Sequence, residues 1–302
     1  MSAGSSLRVI LGSLAANLGI AVTKGVAAFF TGSGSMLGEA IHSAADCMNQ
    51  VLLLVGHHQA AKPPTEAHPM GQGRAAYFWS FLVALMLFLG GGIFSIHEGL
   101  ERMRAPEPLE HVWVGLAVLV VGLAMETAAL VQTIRALGDK RGDLPFFAYL
   151  RSTTDADLVV LFAENAADVL GLLVAIAALG LAKLTGDTRW DAYGSIGIGA
   201  LLTLVSWFLA REVKSLIVGE RADPIIEGVF REEVARDARL GTVLRVITIQ
   251  QGPSQVMLAA KLDVPRELAA GVLVDAINEL EDRVRARRTD VRWQFIEPDS
   301  KD

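Results

Sequence analysis

The sequence predicts a helical membrane protein with six spans, followed by a small α+β domain. Of its 302 residues, 52% are hydrophobic and the mean hydropathy is +0.42, which is too apolar for an ordinary soluble domain. The charges concentrate at one end, because residues 214–302 carry 14 of the 27 Lys and Arg residues and 16 of the 33 Asp and Glu residues. We therefore predict a membrane domain over residues 1–213 and a soluble domain over residues 214–302.

The six predicted spans are apolar segments near or above the length of about 20 residues that a helix needs to cross a bilayer. They lie at 7–31, 34–59, 76–102, 111–135, 156–184 and 190–212. Glycines at 90–92 and at 194, 197 and 199 allow close helix approach. Of the Lys and Arg residues that flank the spans, seven fall on one side of the membrane and four on the other. The side with more positive charge is normally cytoplasmic, which predicts that both termini are cytoplasmic. We expect a multi-pass protein of a bacterial inner membrane.

The soluble domain begins where Asp223-Pro224 breaks the last membrane helix. Helical periodicity is present at 225–238 and 266–286, and strand patterns occupy 244–250, 256–264 and 291–296. The order α-β-β-α-β on about 80 residues predicts a small α+β domain with an antiparallel sheet.

Two long apolar runs each contain a pair of metal-ligand side chains. His42 and Asp46 are four residues apart, and so are Glu164 and Asp168, which places each pair on one face of its helix. An ionised side chain at the bilayer centre costs about 2.5–3.5 kcal/mol on insertion scales. Two facing helices would bring one imidazole and three carboxylates together, so we predict a four-ligand metal site.

Other polar residues accompany these pairs. Glu39 and Asn49 extend the stripe of the second span and are candidates for orienting the ligands, although a polar face packed for structure has the same pattern. Asn165, next to Glu164, either orients a ligand or contacts a neighbouring helix. Glu126, alone in the fourth span, fits either a proton path or a hydrogen bond across helices.

Histidine and cysteine usage limits the remaining metal chemistry. The single Cys47 excludes an internal disulfide and a cysteine-based zinc site. No histidine follows His111, so the soluble domain lacks the imidazole ligands of a strong zinc cluster. His57 and His58 lie at the end of the second span, where histidines are often simply solvated. The net charge of −6 and the lack of a basic stripe give no indication of nucleic-acid binding.

Three stretches resemble the cation diffusion facilitator family, and the resemblance covers nearly the whole chain. They are Ser35–Asp46 (SMLGEAIHSAAD), Pro63–Arg74 (PPTEAHPMGQGR) and Leu161–Leu170 (LFAENAADVL). The resemblance implies a homodimeric antiporter that exchanges divalent cations for protons and carries a metallochaperone-like cytoplasmic αββαβ domain. It also implies that the transport site consists of His42, Asp46, Glu164 and Asp168.

The first ligand of the fifth span departs from the family pattern. Many zinc-transporting members have His where this chain has Glu164. In having Glu at this position, the chain resembles the subgroup with mitochondrial zinc exporter-like members. Zinc accepts one nitrogen and three oxygen ligands. Replacing an imidazole by a carboxylate hardens the site, so Mn(II), Fe(II) and Co(II) stay alternatives. Metal binding needs deprotonated ligands, so protons compete for the same atoms.

The loop between spans two and three departs as well. Many relatives hold an Asp/His/His site there, whereas this chain has Thr65, His68 and Gln72, which leaves His68 as a candidate loop contact. The family also often has a basic and an acidic residue that hold the dimer together near the inner membrane surface. Arg74 and Glu220 match those positions and predict such a charge interlock.

The predicted function is export of Zn(II) or a similar transition metal from the cytoplasm, with protons as counter-ion and no permanently bound cofactor. An intramembrane metalloenzyme is a second hypothesis, because zinc can activate water. The sequence contains neither an HExxH pair nor a nucleophile with a partnered base. A metal-sensing scaffold is a third hypothesis. The absence of histidines in the soluble domain argues against it.

Overall fold

The computed structural model describes residues 3–31, 34–105, 112–142, 144–153 and 156–300, and within these ranges some side chains, including those of residues 34–42, lie outside the description. The chain divides into two compact units. The first contains Met1–His58 and Ala76–Lys214, and the second contains Gln59–Ala75 and Ser215–Asp302. The boundary between Lys214 and Ser215 lies one residue from the boundary predicted from the charge distribution. The membership of Gln59–Ala75 in the second unit was not predicted.

The first unit is all-helical. Its helices are α1 (Ala3–Thr31), α2 (Gly34–Ala60), α3 (Ala75–Met86), α4 (Phe94–Arg104), α5 (Val112–Arg141), α6 (Phe146–Ser152), α7 (Ala156–Thr185) and α8 (Arg189–Val218). Four segments are long and apolar enough to cross a membrane: Ala75–Arg104, Val112–Asp139, Ala156–Thr185 and Arg189–Val218. This confirms a helical, multi-pass membrane protein. Helices α1 and α2 coincide with the first two predicted spans. In this part of the described chain, however, only the stretch Ile10–Thr23 is comparably apolar, and it is shorter than a full span. Six spans therefore stay a prediction.

The third predicted span is not a uniform α-helix. A π-helical segment, Leu87–Ile93, joins α3 to α4 and contains the glycine run. The packing predicted for the glycines is found at Gly92 and Gly199, because a Cβ added at Gly199 would lie 2.7 Å from the carbonyl oxygen of Gly92. Gly90 differs, since a Cβ there would meet nothing within 4 Å. Glycine therefore sets the close approach of α8 to this span at some positions only.

The connection before α7 contains a short helix that the sequence did not predict. Pro145 precedes the first turn of α6, where its missing N–H needs no partner. The ring of Phe146 packs edge-on against Phe162 of α7, with 5.3 Å between the ring centroids. This aromatic contact attaches α6 to the helix that carries the Glu164–Asp168 pair.

The second unit has the predicted α-β-β-α-β order. Its elements are α9 (Pro224–Ala235), β1 (Thr242–Gly252), β2 (Gln255–Asp263), α10 (Ala270–Arg287) and β3 (Val291–Asp299). Asp223 caps α9 by accepting a hydrogen bond from the backbone N–H of Ile225 at 3.0 Å, and Pro224 occupies the first turn. The break predicted at Asp223-Pro224 is therefore the start of α9.

The three-stranded sheet is mixed. Strands β1 and β2 form an antiparallel hairpin, but β2 and β3 are parallel, so the predicted all-antiparallel sheet is wrong at this pair. The reason is the connection, because α10 carries the chain across before β3 begins, which is how a parallel pair is joined. The buried core side chains come from both helices, β2 and β3, and include Ile226, Phe230, Leu258, Leu262, Leu280 and Val291, while β1 contributes the partly buried Val243 and Val246.

An ion network joins the two helices of this unit. The side chain of Glu233 on α9 is only 1% exposed and accepts hydrogen bonds from Arg287 at 2.8 Å and from Arg236 at 2.6 Å. The Arg287 guanidinium, helped by Arg236, holds the pKa of Glu233 below its ordinary value. A buried carboxylate is tolerated here because its charge is paired.

Candidate metal site

Helices α2 and α7 bring two of the predicted ligands close together inside the first unit. Asp46 is 6% exposed and Glu164 is 1% exposed, and the two carboxylates are near enough to interact electrostatically. The amide of Asn49, one turn beyond Asp46, donates a hydrogen bond to Oε1 of Glu164 at 2.8 Å. Asp168 lies one turn beyond Glu164 and is half-buried. The matched i, i+4 pairs thus belong to two helices that are directly hydrogen-bonded to each other.

The complete four-ligand set stays a prediction. His42 and Glu39 lie on α2, but their side chains are among those outside the description. Among the described side chains, no group of three or more His, Cys, Asp or Glu residues is placed to hold one metal ion. Asp46, Glu164 and Asp168 therefore do not form a three-ligand cage in the described structure.

The two asparagines near the site have different roles. Asn49 bonds Glu164 directly, as described above. Asn165 is fully buried and instead donates to the hydroxyl of Thr133 on α5 at 3.0 Å. Neighbouring residues on a helix point about 100° apart, so the side chain that follows Glu164 faces α5 rather than α2. Of the two predictions for Asn165, contact with a neighbouring helix is the one observed.

A further carboxylate, Glu126 of α5, lies near this site. It is 7% exposed and interacts electrostatically with Glu164 and with the thiol of Cys47. The sequence showed only a lone acid in an apolar run, with no spacing that related it to Glu164. Because α5 packs along α7, tertiary structure supplies the proximity that no sequence pattern could reveal.

The polar interior continues toward α1. Gln50, beside Asn49, is fully buried and donates to the hydroxyl of Ser13 at 2.8 Å. Gln50 belongs to the polar stripe predicted for the second span, whereas Ser13 was not predicted as part of a site. Hydrogen bonds of this kind satisfy amides and hydroxyls that have no water partner in a membrane interior.

The loop residue His68 is exposed and belongs to a tight turn. Its backbone N–H and carbonyl pair with the carbonyl and N–H of Thr65 at 3.1 and 3.0 Å. Among the described residues, no further metal-type ligands gather around it into a group of three. The end of the same loop packs within the second unit, where a Cβ added at Gly73 would lie 2.6 Å from the carbonyl oxygen of Gln251. A loop metal contact at His68 stays a prediction.

Arg74 and Glu220 also lie in the second unit. The Arg74 guanidinium packs against Gly219, with Nη2 3.3 Å from the position of an added Cβ. The Nε of Arg74 is buried and has no hydrogen-bond partner among the described residues. Glu220 is half-buried, and its backbone carbonyl accepts from the N–H of Gln250 at 2.9 Å. Because the predicted interlock concerns the junction of two copies of the chain, it stays a prediction.

Comparison with known proteins identifies the family. The model of the cation efflux transmembrane domain matches residues 10–218. The mitochondrial proton-coupled zinc antiporter SLC30A9 of Xenopus laevis is 32% identical over 78% of this chain and 42% of its own length. The human protein of the same name is 29% identical over 80% of this chain and 43% of its own length. Metal tolerance protein C4 of Arabidopsis thaliana is 28% identical over 62% of this chain and 42% of its own length.

This chain thus spans less than half the length of the curated relatives it matches. The match nevertheless covers most of the helical unit, and the family consists of cation transporters and not of enzymes. The predicted resemblance is confirmed: the chain belongs to the cation efflux family, also called the cation diffusion facilitators.

Proposed function

We propose that this protein exports a divalent transition metal in exchange for protons, with Zn(II) as the first candidate cargo. The observation that carries the proposal is the buried contact between α2 and α7, where Asn49 donates to Glu164 and Asp46 lies within electrostatic reach. Ionisable residues inside a membrane domain are expensive and mark ion pathways. Relatives whose names describe proton-coupled zinc antiport support the choice of cargo and counter-ion.

The proposed transport site consists of His42, Asp46, Glu164 and Asp168. Its cargo must bind and also leave, so a site of moderate affinity serves the task. Bound metal requires a neutral imidazole and ionised carboxylates, so protons that arrive from the far side displace it at the same atoms. Alternating access then couples metal movement in one direction to proton movement in the other.

The choice among metals rests on the ligand set. One nitrogen and three oxygens suit zinc, and the same set also accepts Mn(II), Fe(II) or Co(II), which prefer harder ligands than zinc does. We place zinc first because the relatives named as antiporters carry zinc, and keep the harder ions as the alternative within the same mechanism.

The proposed working form is a homodimer in a bilayer, with the second unit and both termini on the cytoplasmic side. A bacterial inner membrane is the predicted location, although the Xenopus laevis and human relatives are named as mitochondrial. Arg74 and Glu220 are the proposed interlock. The charge-reversal variant Arg74→Glu should impair transport, and the additional substitution Glu220→Arg should restore part of the transport rate. A double mutant no better than the worse single mutant would show that the two charges are not coupled.

The decisive experiment is flux into liposomes that contain the purified full chain. A pH gradient should drive uptake of Zn(II), and collapse of the gradient with a protonophore should stop it. Asp46→Ala and Asp168→Ala should abolish flux without loss of insertion. Asp187→Ala, which removes an exposed acid just after α7, is the matched control and should transport normally. Normal flux from either ligand mutant would exclude the assigned site.

A further inference from the structure

Two buried polar side chains and one half-buried imidazole meet at a second level of the helices that carry the candidate site. His57 is near the C-terminal end of α2, Ser80 is in the second turn of α3, and Asp157 is in the first turn of α7. The side chains of His57 and Asp157 are 18% and 2% exposed, and Ser80 is fully buried. His57 is thus not the solvated histidine that the sequence predicted.

A shared hydrogen bond and an ion pair relate the three side chains. The Ser80 hydroxyl lies 2.9 Å from the carbonyl oxygen of Ala76 and 3.2 Å from Oδ1 of Asp157, and its single hydrogen is shared between these two acceptors. The other oxygen, Oδ2, lies 3.8 Å from Nδ1 of His57. That distance exceeds the range of about 2.7–3.2 Å for a hydrogen bond. It is the separation of an ion pair, and it is a few tenths of an ångström longer than the separation of about 3.3–3.6 Å between two ligands of one tetrahedral ion at about 2.0–2.2 Å, so a bound metal would draw the two side chains together.

Helix geometry places this level directly below the candidate site. From Asp46 to His57 is 11 residues, and from Asp157 to Glu164 is 7 residues. At about 100° and 1.5 Å per residue, each step returns to within about 20° of the same helix face, after a rise of roughly 16 Å on α2 and 10 Å on α7. The faces of α2 and α7 that carry Asp46 and Glu164 therefore also carry His57 and Asp157, at a second depth.

An apolar layer lies between the two levels. Leu53 is four residues before His57, Leu161 is four residues after Asp157, and both are fully buried. The neighbouring helix is held close at the lower level, because a Cβ added at Gly56 would lie 2.8 Å from Cβ of Trp79 on α3. A cation that moves between the levels must cross this layer, so the lower level is a separate station rather than an extension of the upper site.

We propose that His57 and Asp157 form a second binding site for a divalent first-row transition metal, oriented by Ser80, where the cargo pauses next to the helix ends. Two protein ligands with water completing the coordination make a weak, rapidly exchanging site, which suits entry or exit rather than storage. The role as a transit station rests on the proposed function, but the binding site itself does not.

Binding can be tested without transport. In an Asp46→Ala/Asp168→Ala background, which removes the upper site, Co(II) is titrated into the detergent-purified full chain and followed by visible absorption. Adding His57→Ala should weaken the remaining Co(II) site at least tenfold, and so should Asp157→Asn, which keeps the shape and a hydrogen-bond acceptor for Ser80. His58→Ala removes the exposed adjacent imidazole and is the matched control, with affinity unchanged.

Thermal unfolding of each variant separates binding from packing. If His57→Ala and His58→Ala bind Co(II) equally and His57→Ala only melts earlier, the group is a structural contact and the proposal is wrong. In otherwise unmodified protein, His57→Ala should raise the KM for Zn(II) flux and leave the maximum rate nearly unchanged. Absence of flux in the parent would refute the transporter assignment while the Co(II) titration still reports on the site.

Discussion

Replacing Asn49 should weaken metal transport through the affinity of the site. Asn49→Ala removes the donor that holds Oε1 of Glu164 at 2.8 Å, and both side chains are buried, at 6% and 1% exposure. A hydrogen bond to a charged group contributes about 1.5–3 kcal/mol. Water cannot easily replace the amide at this depth, so we take about 2 kcal/mol, which corresponds to roughly a thirtyfold change in an equilibrium constant.

The KM for Zn(II) should therefore rise about thirtyfold in Asn49→Ala, within the range of about 10- to 100-fold seen when groups that orient metal ligands are removed. The maximum rate should change little, because no ligand is lost. The assay is initial Zn(II) uptake into liposomes under a fixed pH gradient, measured over a wide range of metal concentrations.

Asn165→Ala is the matched control. It also deletes a buried asparagine with one hydrogen bond to another helix, at 3.0 Å, but its partner is Thr133 and not a predicted ligand. It should lower thermal stability by about 1–2 kcal/mol and leave the KM unchanged. An unchanged KM in Asn49→Ala, or equal increases in both variants, would refute the inference that Asn49 acts through Glu164.

Three further outcomes are expected. Glu164→His should raise the Zn:Mn flux ratio, because imidazole is softer than carboxylate; an unchanged ratio would show that this position does not select the metal. Gly199→Val should destabilise the folded protein by about 1–3 kcal/mol in thermal unfolding, because its Cβ would lie 2.7 Å from the carbonyl oxygen of Gly92, whereas Gly90→Ala should be tolerated. Glu233→Gln should lower the free energy of unfolding by about 2 kcal/mol above pH 5, a value between those typical of exposed and of buried ion pairs. The pKa of Glu233 is lower in the folded protein than in the unfolded chain, so its contribution to stability is fully present above the unfolded pKa of about 4.3. That contribution disappears as the pH falls through the folded-state pKa. The unfolding free energies of variant and parent should therefore become equal in acid.

Local patterns predicted the elements that depend on local physics. Long apolar runs form the helices, and Asp223-Pro224 marks a helix start because capping and proline geometry involve only neighbouring residues. Strand positions in the second unit follow from alternation and turn residues. The parallel pairing of β2 and β3 did not follow, because the choice of sheet edge depends on where α10 packs.

The candidate site divides in the same way. The i, i+4 spacing on α7 placed Glu164 and Asp168 on one helix face from the sequence alone. The positions of Glu126 and of the His57–Asp157 pair could not be predicted, because each involves two helices that are far apart in the chain and have no shared motif. Which asparagine contacts Glu164 was equally undetermined, since helix rotation within the bundle decides it.

The π-helical segment Leu87–Ile93 affects which insertions and deletions the chain tolerates. Removing one residue from a regular α-helix turns everything beyond it by about 100° and shifts it by about 1.5 Å. In α7 such a deletion ahead of Glu164 would point the carboxylate away from α2. A π-helical segment already accommodates a surplus residue in its wider turns, so losing one there returns the segment toward an α-helix and lets the flanking helices keep their faces. Single-residue length changes in this protein should therefore be accepted at the glycine run and rejected in α7.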